Sequence, residues 1–270
     1  MRVAVVGHVE WVQFARVPRV PAAGEIARAS DSWEAAGGGG AVAAVVLARL
    51  AGAADFFTAL GEDELGHRAA DELSKHDVTV HAAWRAEPQR RGFVFVDDDH
   101  ERTITVMGRR LVPHADDALP WESLGETDAV YFTGGDAGSL RAARAARVLV
   151  ATPRAREAFE GADVELDALV RSGSDAGETY EPGELHPPPR LVVTTRGAEG
   201  GRYDRVDGHT GSWPAAPPPG PPVDSYGAGD SFAAALTYAL GKGVDIDTAL
   251  AEAARSGAAA LASRGPYRRR

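Results

Sequence analysis

Short apolar runs separated by alanine-rich stretches recur along most of the chain, and this alternation leaves few folds open. Val3 to Gly7, Ala54 to Leu60, Val78 to Ala83, Ala129 to Thr133, Arg147 to Thr152 and Leu191 to Thr195 read as buried strands. Ala41 to Leu50, Gly66 to His76 and an alanine- and arginine-rich stretch between Thr133 and Arg147 read as helices between them. Strands apolar on both faces must be covered on both, and a strand–helix alternation supplies the covers for a parallel sheet, so the fold class is α/β. The clearest helical period lies in Asp230 to Leu240, where Phe232, Ala235, Leu236, Ala239 and Leu240 fall at i, i+3, i+4, i+7 and i+8. Gly241 is expected to stop that helix.

Two segments break the alternation. Val12 to Trp33 and Arg91 to Met107 are polar and strand-like, and the second has the form of a hairpin turning at Asp97 to His100. Inserted into a strand–helix repeat, they are expected to form a small lid within a single domain of residues 1–270. Trp213 to Val223 is too rich in proline for an interior element and reads as a surface connection. A length of 270 residues suits one such domain. The absence of cysteine excludes disulfides, thiolate catalysis and iron–sulfur clusters.

A net charge of −10, from 29 basic and 39 acidic residues, argues against nucleic acid as a partner, because phosphate neutralisation needs clustered positive charge. No apolar run reaches the roughly 18 residues of a membrane span. The first ten residues already carry charge, too early for a signal-peptide core, so the expected location is cytoplasmic. Arg268, Arg269 and Arg270 read as a solvated terminus.

Two glycine clusters carry the chemistry. Gly37 to Gly40 directly precede a helix, where exposed backbone N–H groups suit an anion or a hydroxyl oxygen, although a tight packing turn has the same composition. No Gly-Lys-Ser/Thr follows, so this is not a Walker loop. The second cluster, Val223-Asp224-Ser225-Tyr226-Gly227-Ala228-Gly229-Asp230-Ser231-Phe232, opens the strongest helix. The amides of Gly227, Ala228, Gly229 and Asp230 can converge on an anion there, and Asp230 beside them can take a proton from an alcohol. An acidic residue in a first helical turn is also simply favourable.

With both clusters in view, the sequence resembles the ribokinase-like, or PfkB, family of carbohydrate and nucleoside kinases. Asp224 to Phe232, DSYGAGDSF, is similar to the family's C-terminal signature with Ser225 in place of threonine. Gly37 to Gly61 with Gly66 resembles the N-terminal signature, Val193 to Gly197 the nucleotide-side strand end, and His100-Glu101-Arg102-Thr103-Ile104 the lid hairpin. The resemblance implies a three-layer α/β/α fold with a mostly parallel central sheet and a small β-lid. It implies transfer of the γ-phosphoryl group of ATP to a hydroxyl of a small polyol, with Asp230 as base and the Gly227, Ala228 and Gly229 amides as anion hole. Thr195 and Gly197 would border the nucleotide. Asp175 and Glu178 have the spacing of a motif that organises Mg²⁺ and phosphate, although their surroundings also read as a plain turn. Asp224 and the Tyr226 carbonyl fall where relatives bind a monovalent cation such as K⁺, and the lid implies a possible homodimer.

The departures concern the acceptor. Gly38 and Gly39 would line its pocket, but Val42 stands where many relatives carry a substrate-binding asparagine, and Val12 where they carry an aspartate that reads sugar hydroxyls. Glu10 either replaces that aspartate or lies on the lid surface. A phosphorylated acceptor or a vitamin-like alcohol is the alternative substrate, with Arg90, Arg91 and Arg102 available to an added phosphate, and a non-catalytic ligand-binding relative is the other. Trp11, Trp33 and Trp84 either stack on a ligand or pack the lid. His76 and His81 have no metal-ligand spacing, and Asp97, Asp98 and Asp99 read as a hairpin tip.

Overall fold

The structure, a computed structural model, describes residues 1–267; the reading of Arg268 to Arg270 lies outside them. The chain opens with β1 (Val3–Val6), β2 (Glu10–Arg16) and β3 (Asp31–Gly37) before α1 (Gly39–Ala51). Next come β4 (Ala54–Gly61), α2 (Glu64–Ser74) and β5 (Val78–Arg85), then the hairpin of β6 (Arg91–Val96) and β7 (Arg102–Met107). The second half begins with β8 (Ala129–Phe132), α3 (Ala137–Ala143) and β9 (Val148–Ala151), and continues through β10 (Ala168–Ser172) and β11 (Leu191–Thr195). A hairpin of β12 (Gly201–Arg205) and β13 (Thr210–Trp213) precedes the closing helices α4 (Ala228–Lys242) and α5 (Ile246–Leu261).

Nine strands form the main sheet in the order β13-β12-β11-β10-β9-β8-β1-β4-β5, parallel from β11 to β5 and antiparallel at the β12–β13 edge. The alternation of side chains along each strand divides the core in two. Val3 and Val5 join Tyr131, Val150, Val170 and Val193 on the face covered by α1, α2, α4 and α5. Ala4 and Val6 join Val130, Phe132, Leu149 and Leu169 on the face covered by α3 and by short helical turns around Leu124 and Ala155. Each strand is therefore sealed from both sides, the condition that gives parallel strands their continuous apolar sequences.

A second sheet, in the order β3-β2-β6-β7, projects from this core. Val12, Phe14, Val94, Val96 and Tyr226 seal its inner face. Its strands differ in extent from the sequence reading: β2 begins at Glu10, β3 runs on to Gly37, and residues 17–30 form an irregular connection. The hairpin tip closes where Asp97 N donates to Glu101 O (3.1 Å), with His100 at φ 63°.

Other readings are corrected. Gly241 does not stop α4, which continues to Lys242 and is capped by Gly243 at φ 72°. Gly241 is instead a packing residue: a Cβ there would lie 2.8 Å from the Ala129 Cβ, so its absence lets the helix lie close on β8. Trp213 is not in the proline-rich connection but ends β13, stacked on Phe232 at 5.6 Å between ring centroids. β10, the β12–β13 hairpin and α5 are additional to the elements read from sequence. No helix among the described residues is long and apolar enough to cross a membrane.

The β1–α1 junction shows how tightly the core sets the geometry above it. A Cβ on Gly40 would fall 2.6 Å from the His8 carbonyl oxygen and 3.0 Å from the Phe56 ring. Gly40→Ala is expected to force α1 off β1 at a cost of about 1–3 kcal/mol, the ordinary penalty of overpacking. Thermal unfolding at fixed protein concentration checks this, and an unchanged Tm would contradict it.

Candidate active site

The parallel strands end on one side of the sheet, and the loops leaving those ends carry nearly every candidate residue. Ligands of open α/β sheets bind outside the carboxyl ends of the strands. His8 and Glu10 follow β1, Thr133 follows β8, Arg154 follows β9, Asp175 and Glu178 follow β10, and Thr195 and Gly197 close β11.

Over these ends two glycine-opened helix N-termini meet. α1 starts behind Gly38 (φ 84°) and α4 behind Gly227 (φ 78°), and neither has a side-chain cap, so the first N–H groups of both are offered outward. Gly227 is fixed as glycine by conformation and by space, since a Cβ would lie 3.1 Å from Val42 Cγ1. Around Gly229, by contrast, nothing lies within 4 Å of a built Cβ, so that turn of α4 faces open space. Gly39 is where the helices touch: its Cβ would fall 2.7 Å from Asp230 Oδ1.

Burial pushes the Asp230 carboxyl up to about 6, with the nearby Glu178 acting in the same sense and Arg102 and Arg154 against it. A carboxyl with that value is ionised at neutral pH and is a stronger base than an ordinary aspartate. Beneath it, Tyr131 keeps its phenol proton, because burial and then the charges of Asp230 and Glu178 hold it well above the ordinary range.

Glu10 is not on the lid surface. It is buried, 2.9 Å from Arg90 Nε and 3.8 Å from His8 Nε2, and its Cγ would lie 3.3 Å from a Cβ on Gly38. Burial raises its pKa against the pull of Arg90, Arg110 and Arg154. Val42 and Val12 are fully buried. Both pack with Tyr226, whose hydroxyl accepts the Gly38 N–H at 2.9 Å. The places expected to carry polar contacts are thus taken up by an apolar cluster around one tyrosine ring.

Asp175 and Glu178 are both ion-paired to Arg154, Glu178 at 2.9 Å from its Nε. Asp175 Oδ1 also accepts the Gly177 N–H (2.8 Å), and Glu178 Oε2 the Ser172 N–H (2.7 Å). Thr195 Oγ1 donates to the Arg171 carbonyl (3.3 Å), and Gly197 turns at φ 56° into open space. The buried Asp224 carboxylate accepts the N–H groups of Tyr226 (2.7 Å) and Gly265 (3.0 Å), tying the glycine loop to the end of the chain. Ser225 receives Arg102 from the lid, at 3.0 Å to its carbonyl and 3.2 Å to its hydroxyl.

Sequence reading missed His8, Arg110, Arg154 and Tyr131. Their only signal was position, directly after or within a parallel strand or in the loop that leaves the lid. Arg91 is exposed, and Arg102 contacts the glycine loop. Trp11 is buried under Arg68 at 4.3 Å, Trp33 stacks between Phe14 and Arg264, and Trp84 lies against His67. All three therefore pack against protein. His81 binds Asp55 at 2.8 Å, and no group of three or more metal-binding side chains occurs among the described residues.

A family model described as pfkB family carbohydrate kinase matches residues 1–160 and 165–269. An ATP-dependent ribose-1-phosphate kinase of Halopiger xanaduensis is 28% identical over 96% of this chain and 91% of its own length. Among solved structures, a microbiome-derived acarbose kinase superposes with a TM-score of 0.82 at 24% identity, covering 99% of this chain and 95% of its own. The Arabidopsis thaliana ribokinase complexed with ribose and ATP gives 0.74 at 21% identity, covering 98% and 93%.

The raised carboxyl has a consequence for stability. With a folded value of about 6 against the ordinary 3.8, the folded state holds the Asp230 proton more tightly than the unfolded chain does. The stabilising effect of that proton is full below about pH 4 and is lost as pH rises through about 6. Asp230→Asn is therefore expected to raise Tm above that of the wild type at pH 8, with the difference shrinking towards pH 4. A pH-independent difference would show that the carboxyl is not raised.

Proposed function

The chain belongs to the pfkB family of carbohydrate kinases, and on that footing we propose that it moves the γ-phosphoryl group of ATP to a hydroxyl of a sugar, sugar derivative or nucleoside. Asp230 is the base, and the Gly227, Ala228 and Gly229 amides form the anion hole. One observation carries this reading: a carboxyl raised to about 6 stands in the first turn of an uncapped helix and is pressed against the glycine N-terminus of another. In the step, the acceptor oxygen bonds to the γ-phosphorus while the bond from that phosphorus to the oxygen bridging to the β-phosphate breaks. The hydroxyl proton passes to Asp230 and ADP leaves. Such transfer depends mainly on positioning and on charge stabilisation, which the paired helix N-termini supply.

Thr195 and Gly197 border the nucleotide in this reading. Mg²⁺ would be held by Asp175 and Glu178 together with the nucleotide phosphates, a donor set that suits an ion reluctant to give up its water. The bound ion would offset charge on the phosphates. K⁺ would be offered the Asp224 carboxylate and the Tyr226 carbonyl. The similarity to a ribose-1-phosphate kinase and to a ribokinase complexed with ribose and ATP supports a sugar-type acceptor and ATP as donor. The exposed Ile104 and Val106 on edge strand β7 support a homodimer through the lid. Light scattering after size exclusion is expected to give twice the chain mass, and a monomer at all concentrations would exclude it.

Asp230→Asn is expected to lower kcat about 10²–10⁴-fold on the best acceptor in a sugar and nucleoside panel, measured as ADP release. In the wild type, kcat/KM is expected to rise with pH through about 6 as Asp230 loses its proton. Comparable turnover by the variant would remove Asp230 from the role of base.

A further inference from the structure

We infer that His8, Arg90 and Arg110 form a subsite for a phosphate monoester on the acceptor, so that the substrate is an already phosphorylated small polyol. This rests on the reading of Asp230 as the base and names the substrate class for that same site.

The cluster lies at the far end of the glycine floor from Asp230. Gly39 abuts Asp230, its neighbour Gly38 abuts Glu10 and His8, and His8 abuts Arg110. An acceptor lying along Gly38 and Gly39 thus presents one end to the base and the other to the guanidinium groups.

Arg110 is unusually placed for a charged side chain. Its Nη1 donates to the Arg154 carbonyl (2.8 Å), and its Nη2 donates to the Thr133 carbonyl and to His8 Nδ1 (2.9 Å). Its Nε is buried with no partner, and no carboxylate pairs with it among the described residues. Burial lowers its pKa to about 10, helped by Arg90 and Arg154, while Glu10 opposes the shift. Arg90 is only partly answered: its Nε stands 2.9 Å from Glu10 Oε1 but is not aligned for a hydrogen bond. Arg154 is already neutralised by Asp175 and Glu178.

His8 completes the set as a neutral donor. Burial first, then Arg110, Arg90 and Arg154, hold its pKa well below the ordinary value. Because Nδ1 accepts from Arg110, the proton sits on Nε2, on the side of Glu10. Two guanidinium groups and an imidazole N–H, set against one carboxylate that burial makes reluctant to ionise, leave an excess of buried positive charge. A buried charge without its counterion is costly, and a phosphate dianion answers it better than a hydroxyl or a single carboxylate.

The apolar cluster points the same way. Val12 and Val42 are buried against Tyr226 and offer no polar group where relatives of the family carry hydroxyl-reading side chains, so binding energy must come from elsewhere. The arginines provide that source.

The test pairs each of several pentoses and hexoses with its monophosphates and with the corresponding sugar acid. ADP release gives turnover, and calorimetry with Asp230→Asn gives binding without turnover. The wild type is expected to favour one phosphorylated sugar over its parent by about 100-fold or more in kcat/KM, as for two charge-assisted contacts. Arg110→Met and Arg90→Met are each expected to raise KM for that ester about 10–100-fold with a smaller change in kcat, and Arg110→Lys to recover part of the loss. Preference for the free sugar or the sugar acid, or an unchanged KM in both methionine variants, overturns the subsite. If the methionine variants do not fold, weakening of ester binding in Arg110→Lys decides, because a lysine cannot reproduce the fork, and unweakened binding overturns it. Ester binding to Asp230→Asn without wild-type turnover would uphold the subsite while rejecting the kinase reading. Turnover of unphosphorylated acceptors alone would do the reverse.

Discussion

The contact of α1 with α4 at Gly39 and Asp230 is the constraint on which the site depends. Two helix N-termini, each with a positive dipole end and unsatisfied N–H groups, would ordinarily be kept apart by side chains. Here Gly38 and Gly39 on one helix and Gly227 on the other remove those side chains, and the Asp230 carboxyl fills the gap. The carboxylate gains the field of both helices and loses water. Burial dominates, which is why its pKa moves up despite Arg102 and Arg154. The same closeness places Val42 behind Gly227 and allows Tyr226 to reach the Gly38 N–H. The proposed base, the proposed anion hole and the apolar cluster around Tyr226 therefore depend on one steric condition.

The parallel core was legible because its strands are buried on both faces, and such strands are apolar without interruption. The glycine clusters were legible because few residues besides glycine tolerate φ near 80° at a helix start. Elements of mixed pattern escaped. β10 ends in the polar residues Arg171 and Ser172, β12 and β13 belong to an antiparallel edge with one solvated side, and α5 is rich in alanine with a broad apolar face. Gly241 was misread because a glycine that permits close packing is identical in sequence to one that ends a helix; only its contact with Ala129 separates them.

Within the site, residue type was readable but direction was not. Val12 and Val42 showed in sequence as missing polar contacts, and the natural expectation was a pocket lined by valine. The structure turns both towards Tyr226, a residue the signature comparison treated only as a backbone carbonyl. Arg110 and Arg154 are far apart in sequence and carry no motif. They meet because the loop after β7 crosses above the ends of β8 and β9, where a main-chain carbonyl of one accepts the guanidinium of the other.

This placement bears on the charge of the molecule. With a net charge of −10, the protein's field at long range opposes the approach of nucleotide and sugar phosphates alike. Salt screens that opposition beyond roughly 10 Å, whereas the arginines of the proposed subsite would act on an anion already inside the cleft, where screening is weak. In the proposed subsite, attraction for an anion is thus local within an acidic molecule. A broad basic face would bind polyanions of any length, whereas the proposed subsite of Arg90 and Arg110, set beside the buried His8, suits anions small enough to enter.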